Sequence, residues 1–418
     1  MSTLDRARTL IILLPALMFV GCPSSVDRRA MDGIDRLRAC DMRGAHEAFA
    51  DAHEMDASRS DVALAFAMTD IATLAEDPAL TALAPRLGFD RAIDTSLLWG
   101  PDGLTDRLSR TDSCETIEDW FHTTFPHPSA REGGPSLMST IDETLTVGDV
   151  RTALLALDAR LEADVEALET AASDMNGEGV TLEGGCGIGS TPTRLRAPEL
   201  LALAAALEGI RATALAARAY DGALRVTLLF DSSSDQTAWA QMMNEHMLHV
   251  TDASQLEEAR VTLRHAVELA RSAVSAARAI TDSPSDAVID WARLPREVLD
   301  DVDALGAAAH EGLASETHVV IPRLSPGLGL DLRSFFDEPL DFGDATAPLW
   351  TVETDEYGTW TRFDSAQIED LLRGRFDADP WAEGSSYSWQ MDWSDIQGET
   401  WESVFDPGSR WSESLACE

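Results

Sequence analysis

The sequence predicts a mainly α protein, with a helical body over residues 30–316 and a small, irregular, β-containing cap over residues 317–418. Three observations lead there. Apolar residues recur at three- and four-residue spacing in the middle of the chain, as in Val150, Leu154, Leu157, Leu161, Val165 and Leu168. Helix-start signals stand where such runs begin, Pro198 and the Ser254–Glu257 capping pattern among them. From residue 317 the pattern becomes β-branched and turn-rich, and seven of the eleven Trp lie between 350 and 411.

The first twenty-two residues read as an export signal. Arg6 and Arg8 precede an uncharged apolar run from Leu10 to Val20, which is too short to span about 30 Å of hydrocarbon and fits a signal-peptide core instead. The run ends in Phe19-Val20-Gly21-Cys22, which resembles the lipobox of bacterial lipoproteins. Gly21 and Cys22 match that motif, and Phe19 stands where Leu is usual. The resemblance implies that residues 1–21 are removed, that the Cys22 thiol carries a diacylglycerol, and that the new amino terminus is acylated, with palmitate as a typical chain. Two or three such chains anchor stably, since each buried CH₂ contributes about 0.8 kcal/mol. Pro23 follows, where an Asp would resemble an inner-membrane retention signal. The expected place is therefore the outer membrane of the cell envelope, on its periplasmic face or at the cell surface. Residues 22–29 read as a short tether.

Residues 29–80 read as helices. Ala45, Ala48, Phe49 and Ala52 fall at helical spacing, and Ala45, Phe49 and Ala52 resemble the core of the second helix of a tetratricopeptide repeat. Asp41 falls at the inter-helix turn of that motif and Ala57 where Pro is usual, while the first helix lacks the expected Trp/Leu-Gly/Tyr positions. Gly148–Leu157 echoes the pattern about 108 residues downstream, which is not a 34-residue array. The resemblance covers about 50 residues and implies stacked helical hairpins. Next, Val150–Leu168 reads as one amphipathic helix. A helix opening at Pro198 carries Leu200, Leu203, Leu207 and Ile210, and its nearly charge-free start, Leu200–Leu207, suggests burial. A third, from Ser254-Gln-Leu-Glu257, has Leu256, Leu263, Val267, Ala270 and Val274 on one stripe. Asn176–Pro192 is a loop or short hairpin. In the cap, Thr317–Pro322 reads as a strand, residues 348–363 as a hairpin turning at Asp355–Gly358, and Ser365–Arg373 as a short helix.

Composition narrows the function classes. Acidic residues outnumber basic ones 73 to 32, for a formal charge of −41, which excludes a nucleic-acid binder and favours a diffuse cation cloud. The sequence contains no lysine; every basic residue is Arg, consistent with a GC-rich genome or with salt adaptation. Besides Cys22 there are Cys40, Cys114, Cys186 and Cys417. In an exported chain these permit two disulfides in three connectivities, and at least one bridge is expected. His246 and His249 beside Glu245, with His265 further on, are compatible with part of a zinc site. Glu353, Asp355 and Asp364 around Gly358 have partial calcium-loop spacing, but Tyr357 stands at a ligand position. The Gly184–Ser190 run lacks the Lys and the leading strand of a phosphate loop. Expected cofactors and metals are none.

Trp381, Trp389, Trp393 and Trp401, interleaved with Asp379, Asp392, Asp395 and Glu402, suit either a sugar-binding face or anchors that clip the tail onto helices. Together these features predict a non-enzymatic, membrane-anchored envelope lipoprotein that binds or scaffolds another envelope protein. Two alternatives stand beside it: a surface glycan-binding protein using the Trp-rich region, and an envelope hydrolase, metal-dependent through His246 and His249.

Overall fold

A computed structural model describes residues 24–39, 41–88, 141–175, 179–182, 193–227, 236–282, 289, 291, 292, 294, 296–320, 329–355 and 358–376. It is mainly helical. The body runs α1 Ser25–Arg38, α2 Met42–Met55, α3 Ser60–Thr73, α4 Pro78–Leu83, α5 Val147–Ala156, α6 Asp158–Ser173, α7 Ala197–Ala217, α8 Gln236–His246, α9 Leu256–Arg278 and α10 Arg296–Ala314. Strands β1 Val180–Leu182 and β2 Thr193–Leu195 pair antiparallel before α7. After α10 come the antiparallel pair β3 Val319–Val320 and β4 Gly329–Leu330, the single turn α11 Ser334–Asp337, the hairpin of β5 Trp350–Asp355 and β6 Gly358–Phe363, and α12 Ser365–Leu372.

Most helices pack chiefly on the next in a series: α1 on α2, α2 on α3, α3 on α6, α6 on α7, α7 on α9 and α9 on α10. The largest apolar core lies where α3, α6 and α7 meet, around Ala63, Leu64, Leu161, Val165, Leu168, Leu200 and Leu207. Arginines bridge several of these interfaces. Arg59 holds Asp27 of α1, Arg160 holds Asp70 of α3, Arg211 holds Asp158 and Glu162 of α6, and Arg278 holds Asp303 of α10.

In the first hairpin the residues at helical spacing face the core. Asp41 accepts the Gly44 N–H at 2.9 Å and so caps α2, while Ala45, Ala48, Phe49 and Ala52 are buried. The residue on α1 that makes this packing work is Gly33, which the sequence reading passed over. A Cβ there would lie 2.8 Å from the Phe49 ring, so only hydrogen lets the two helices approach this closely. The helix also starts earlier than the tether assigned to residues 22–29. Ser24 caps it by accepting the Asp27 N–H at 3.0 Å, and Asp27 accepts the Ser24 N–H in return, so the chain is helical from Ser25.

Two further expectations change. Val150–Leu168 is not one helix but α5 and α6, meeting at the buried Leu157. Each half has its own berth. Arg151 of α5 donates to the Ala217 and Tyr220 carbonyls at the end of α7, and Gly148 lies against Gly222, whereas α6 packs along α3 and α7. The paired arginines of the two segments differ in role, since Arg43 of α2 pairs with Glu76 instead. At α9 the Ser254 capping pattern does not form. Asp252 accepts the Ser254 N–H and hydroxyl at 3.1 and 2.6 Å, closing a 3₁₀ turn over Ala253–Gln255, and α9 begins at Leu256. Its buried stripe runs through Ala259, Thr262, Ala266, Leu269 and Ala273, leaving Leu263, Val267 and Ala270 half-buried at the flank.

The helix opened by Pro198 forms as expected. By length and composition alone it could cross a membrane, but Glu199, Glu208 and Arg211 are buried on it among neighbouring helices, as in a core helix. The C-terminal hairpin and α12 also match the sequence. Trp350 sits edge-on to Trp239 of α8 at 6.0 Å and against Phe342 and Phe363. Asn244 of α8 donates to the Trp350 carbonyl at 2.7 Å and accepts its N–H at 3.0 Å, clipping β5 to the body as a neighbouring strand would.

Candidate functional site

The most unusual chemistry lies at the junction of α2, α3 and α6. Asp70 points inward from α3, an otherwise apolar helix, and is nearly sealed from solvent. Arg160, near the start of α6, meets it in a fork: Nη2 donates to Oδ1 at 2.8 Å and Nε to Oδ2 at 3.2 Å. The same guanidinium donates to Asp77, the cap of α4, at 3.0 Å and to the Thr73 hydroxyl at 3.2 Å. His46 of α2 brings Nε2 to 3.2 Å from Asp70 Oδ1, and its ring stacks on Phe66 with centroids 5.9 Å apart. Burial holds the His46 imidazole below its usual range, so it is neutral near pH 7.

One turn beyond Arg160 on the same face of α6 stands Asp164, fully buried, and no N–H or hydroxyl donor reaches either of its oxygens. Burial first, then the charge of Asp70 and the hydrogen bond that a protonated Asp164 gives it, push this carboxyl up to about 9 against the opposing charge of Arg160. Asp164 thus keeps its proton at neutral pH, beside the Asp70 carboxylate group that Arg160 grips. Above them opens a solvent-exposed cleft lined by Arg43, His46, Thr73, Glu76, Asp77, Pro78 and Arg160. Arg43 reaches across its mouth to Glu76 at 2.8 Å. The cleft wall presents both signs of charge, while the perturbed acid beneath it is walled off from anything the cleft holds. That arrangement suits recognition of a polar group better than proton delivery to it.

A second buried ionic group joins α6, α7 and α9. Glu208 accepts from Arg211 at 2.8 Å and faces His265 Nδ1 at 3.0 Å, and His265 Nε2 lies 3.5 Å from Glu169. Desolvation works against the His265 imidazolium, but Glu208 and Glu169 outweigh it and raise the group above its usual value.

The residues singled out from sequence fare differently. His246 is bonded to Asp221 at 2.5 Å, the His249 Nε2 is buried without a partner, and His265 belongs to the Glu208 group. The structure does not bring these histidines together, and among the described residues no group of three His, Cys, Asp or Glu side chains could hold a metal ion. Glu353 pairs with Arg362 across the hairpin and Asp364 accepts from Gln367, so neither is gathered into a calcium loop. Cys22, Cys40, Cys114, Cys186, Cys417, the Gly184–Ser190 run and Trp381, Trp389, Trp393 and Trp401 lie outside the described residues. Asp70, Asp164, Arg160 and His46 went unnoticed in a chain with 73 acidic residues. The available signal was a carboxylate on an apolar stripe, Asp164 within Leu161, Val165 and Leu168.

Comparison with protein families, with curated proteins and with solved structures found no match.

Proposed function

We propose that the chain is a membrane-anchored envelope lipoprotein that binds or scaffolds another protein of the envelope without catalysing a reaction. The observation that carries this reading is the serial stacking of α1, α2, α3, α6, α7, α9 and α10, because an array of this kind offers a long continuous surface to a partner. Anchoring follows from the lipobox at Cys22. Ile210 on α7, at 45% exposure, and Val261 on α9, at 56%, are surface positions on the array from which a partner can be sought.

The test must respect the absence of lysine, which leaves amine-directed cross-linkers only the amino terminus. A photoreactive residue is therefore placed at Ile210 or Val261 and, as a control, at Trp360 on the C-terminal hairpin. Irradiation in cells is expected to join one and the same envelope protein to the first two positions and not to the third. Empty capture at both body positions would sink the scaffold reading. Fatty-acid labelling of the wild type, lost on Cys22→Ala, checks the anchor independently. If the amino terminus is also acylated, the mature chain has no primary amine and takes up no amine-reactive dye.

A further inference from the structure

We infer that Asp164 works as a pH-dependent latch between α3 and α6. With a proton on its carboxyl the two helices stay closed; without it they part and admit water, while α7 and α9 stay folded. The latch needs no partner and does not depend on the scaffold reading. It lies where it can divide the molecule. α1 and α2 rest on α3, whereas α7, α9 and α10 follow from α6, and the two sets meet chiefly at α3 on α6, with a smaller contact of α4 on α5.

The closed interface has no donor to offer an ionised Asp164. The side chain is fully buried, and no N–H or hydroxyl reaches either oxygen. The donors of the junction are committed elsewhere. Arg160 gives Nε and Nη2 to the Asp70 carboxylate group and Nη1 to Asp77. The Thr69 hydroxyl donates to the Ala65 and Phe66 carbonyls, and the Thr73 hydroxyl to the Asp70 carbonyl. His46 turns Nε2 to Asp70, and its Nδ1 is buried without a partner. The core around them is apolar, with Leu161, Val165 and Leu168 on α6 and Ala63, Leu64 and Ala67 on α3. Once the proton is lost, only water can supply the hydrogen bonds of the carboxylate, and water enters only if α6 leaves α3.

The surrounding charges set the direction. Burial and Asp70 keep the proton on Asp164, Arg160 works against them, and the balance carries the carboxyl up to about 9. Burial holds His46 and His53 of α2 below their usual range, so neither changes charge in the alkaline window. Arg160 and Arg211 are both raised and stay charged. Asp77 at the start of α4 is held by Arg160, and α7 faces α6 with Arg211, which pairs with Asp158, Glu162 and Glu208. In the open state the Asp164 carboxyl is hydrated and ionises near its ordinary 3.8. Between that value and about 9 opening therefore releases a proton, and the open population rises about tenfold per pH unit.

Native-state amide exchange of the whole chain, read by mass spectrometry in urea below the unfolding transition, tests the latch. An opening confined to the junction is nearly insensitive to urea, whereas global unfolding accelerates with it. In the wild type, amides of α3 and of the first half of α6 are expected to exchange without urea dependence and ahead of those of α9. Corrected for intrinsic rates, they should quicken about tenfold per pH unit between pH 6 and 8. Asp164→Asn should slow the same amides and remove their pH dependence. Junction amides that exchange together with those of α9, and with the same urea dependence, would overturn the latch and leave Asp164 acting on the fold as a whole. A wild-type opening that does not change with pH would sink it too, because no proton would then be released when the helices part.

Discussion

Asp164→Asn is expected to stabilise the protein, and to do so by an amount that depends on pH. With its carboxyl at about 9 when folded and near 3.8 when unfolded, the folded chain binds one proton more than the unfolded chain everywhere between those values. Excess protons on the folded side mean that stability falls as pH rises through this window, by about 1.4 kcal/mol per pH unit, and levels off above it. At pH 7 the accumulated cost is about 4 kcal/mol, a large share of the 5–15 kcal/mol that usually separates folded from unfolded chains. Asparagine has the shape of the protonated acid and an N–H to give Asp70, yet it never ionises. The variant should therefore gain up to about 4 kcal/mol at pH 7 and lose the slope. Urea unfolding of both proteins at pH 5, 6, 7 and 8 reads the difference directly. A gap that stays constant across these pH values would refute the argument, because it would mean that Asp164 is ionised in the folded protein.

Three other perturbations have defined outcomes. Gly33→Ala should lose about 1–2 kcal/mol, since the clash of its Cβ with the Phe49 ring outweighs the roughly 1 kcal/mol by which Ala favours a helix; Phe49→Leu in the same chain should return part of the loss in a double-mutant cycle. Glu208→Gln should lower the His265 value, measured by NMR titration. In the wild type, the stability that this raised histidine contributes is fully present below pH 6.5 and lost as pH rises through its folded value, so the variant should show a smaller loss over that range. Asn244→Ala removes both hydrogen bonds to Trp350 and should cost about 2–3 kcal/mol, seen as faster amide exchange in β5 and β6 while α6 and α7 keep their protection.

Much of the fold was legible because local chemistry and burial agree. Pro198 starts α7, Asp41 caps α2, and β-branched and aromatic residues on either side of Gly358 make the hairpin. The break at Leu157 was not legible, because the apolar spacing runs through it unbroken and the berth of α5 is set by Arg151 and the end of α7, 66 residues further along the chain. The start of α9 was misread for a local reason: Asp252 competes with Ser254 as the capping acceptor and wins. The buried acid pair was hidden by composition. In a chain with so many carboxylates only position separates Asp70 and Asp164 from the rest, and position on an apolar stripe is visible only once the helix phase is known. The cleft could not have been read at all, since Arg43, Thr73 and Arg160 meet there from three separate helices.

The serial stacking of the helices has a mechanical side. Because each helix bears chiefly on its two neighbours, tension between α1 and α10 passes through the interfaces one after another, like a load through the links of a chain. No interface is relieved by the others, so the weakest sets the force at which the array yields. The Arg271–Asp303 and Arg278–Asp303 bridges between α9 and α10 are partly exposed, so added salt weakens that junction more than it weakens the apolar contact of α3 with α6.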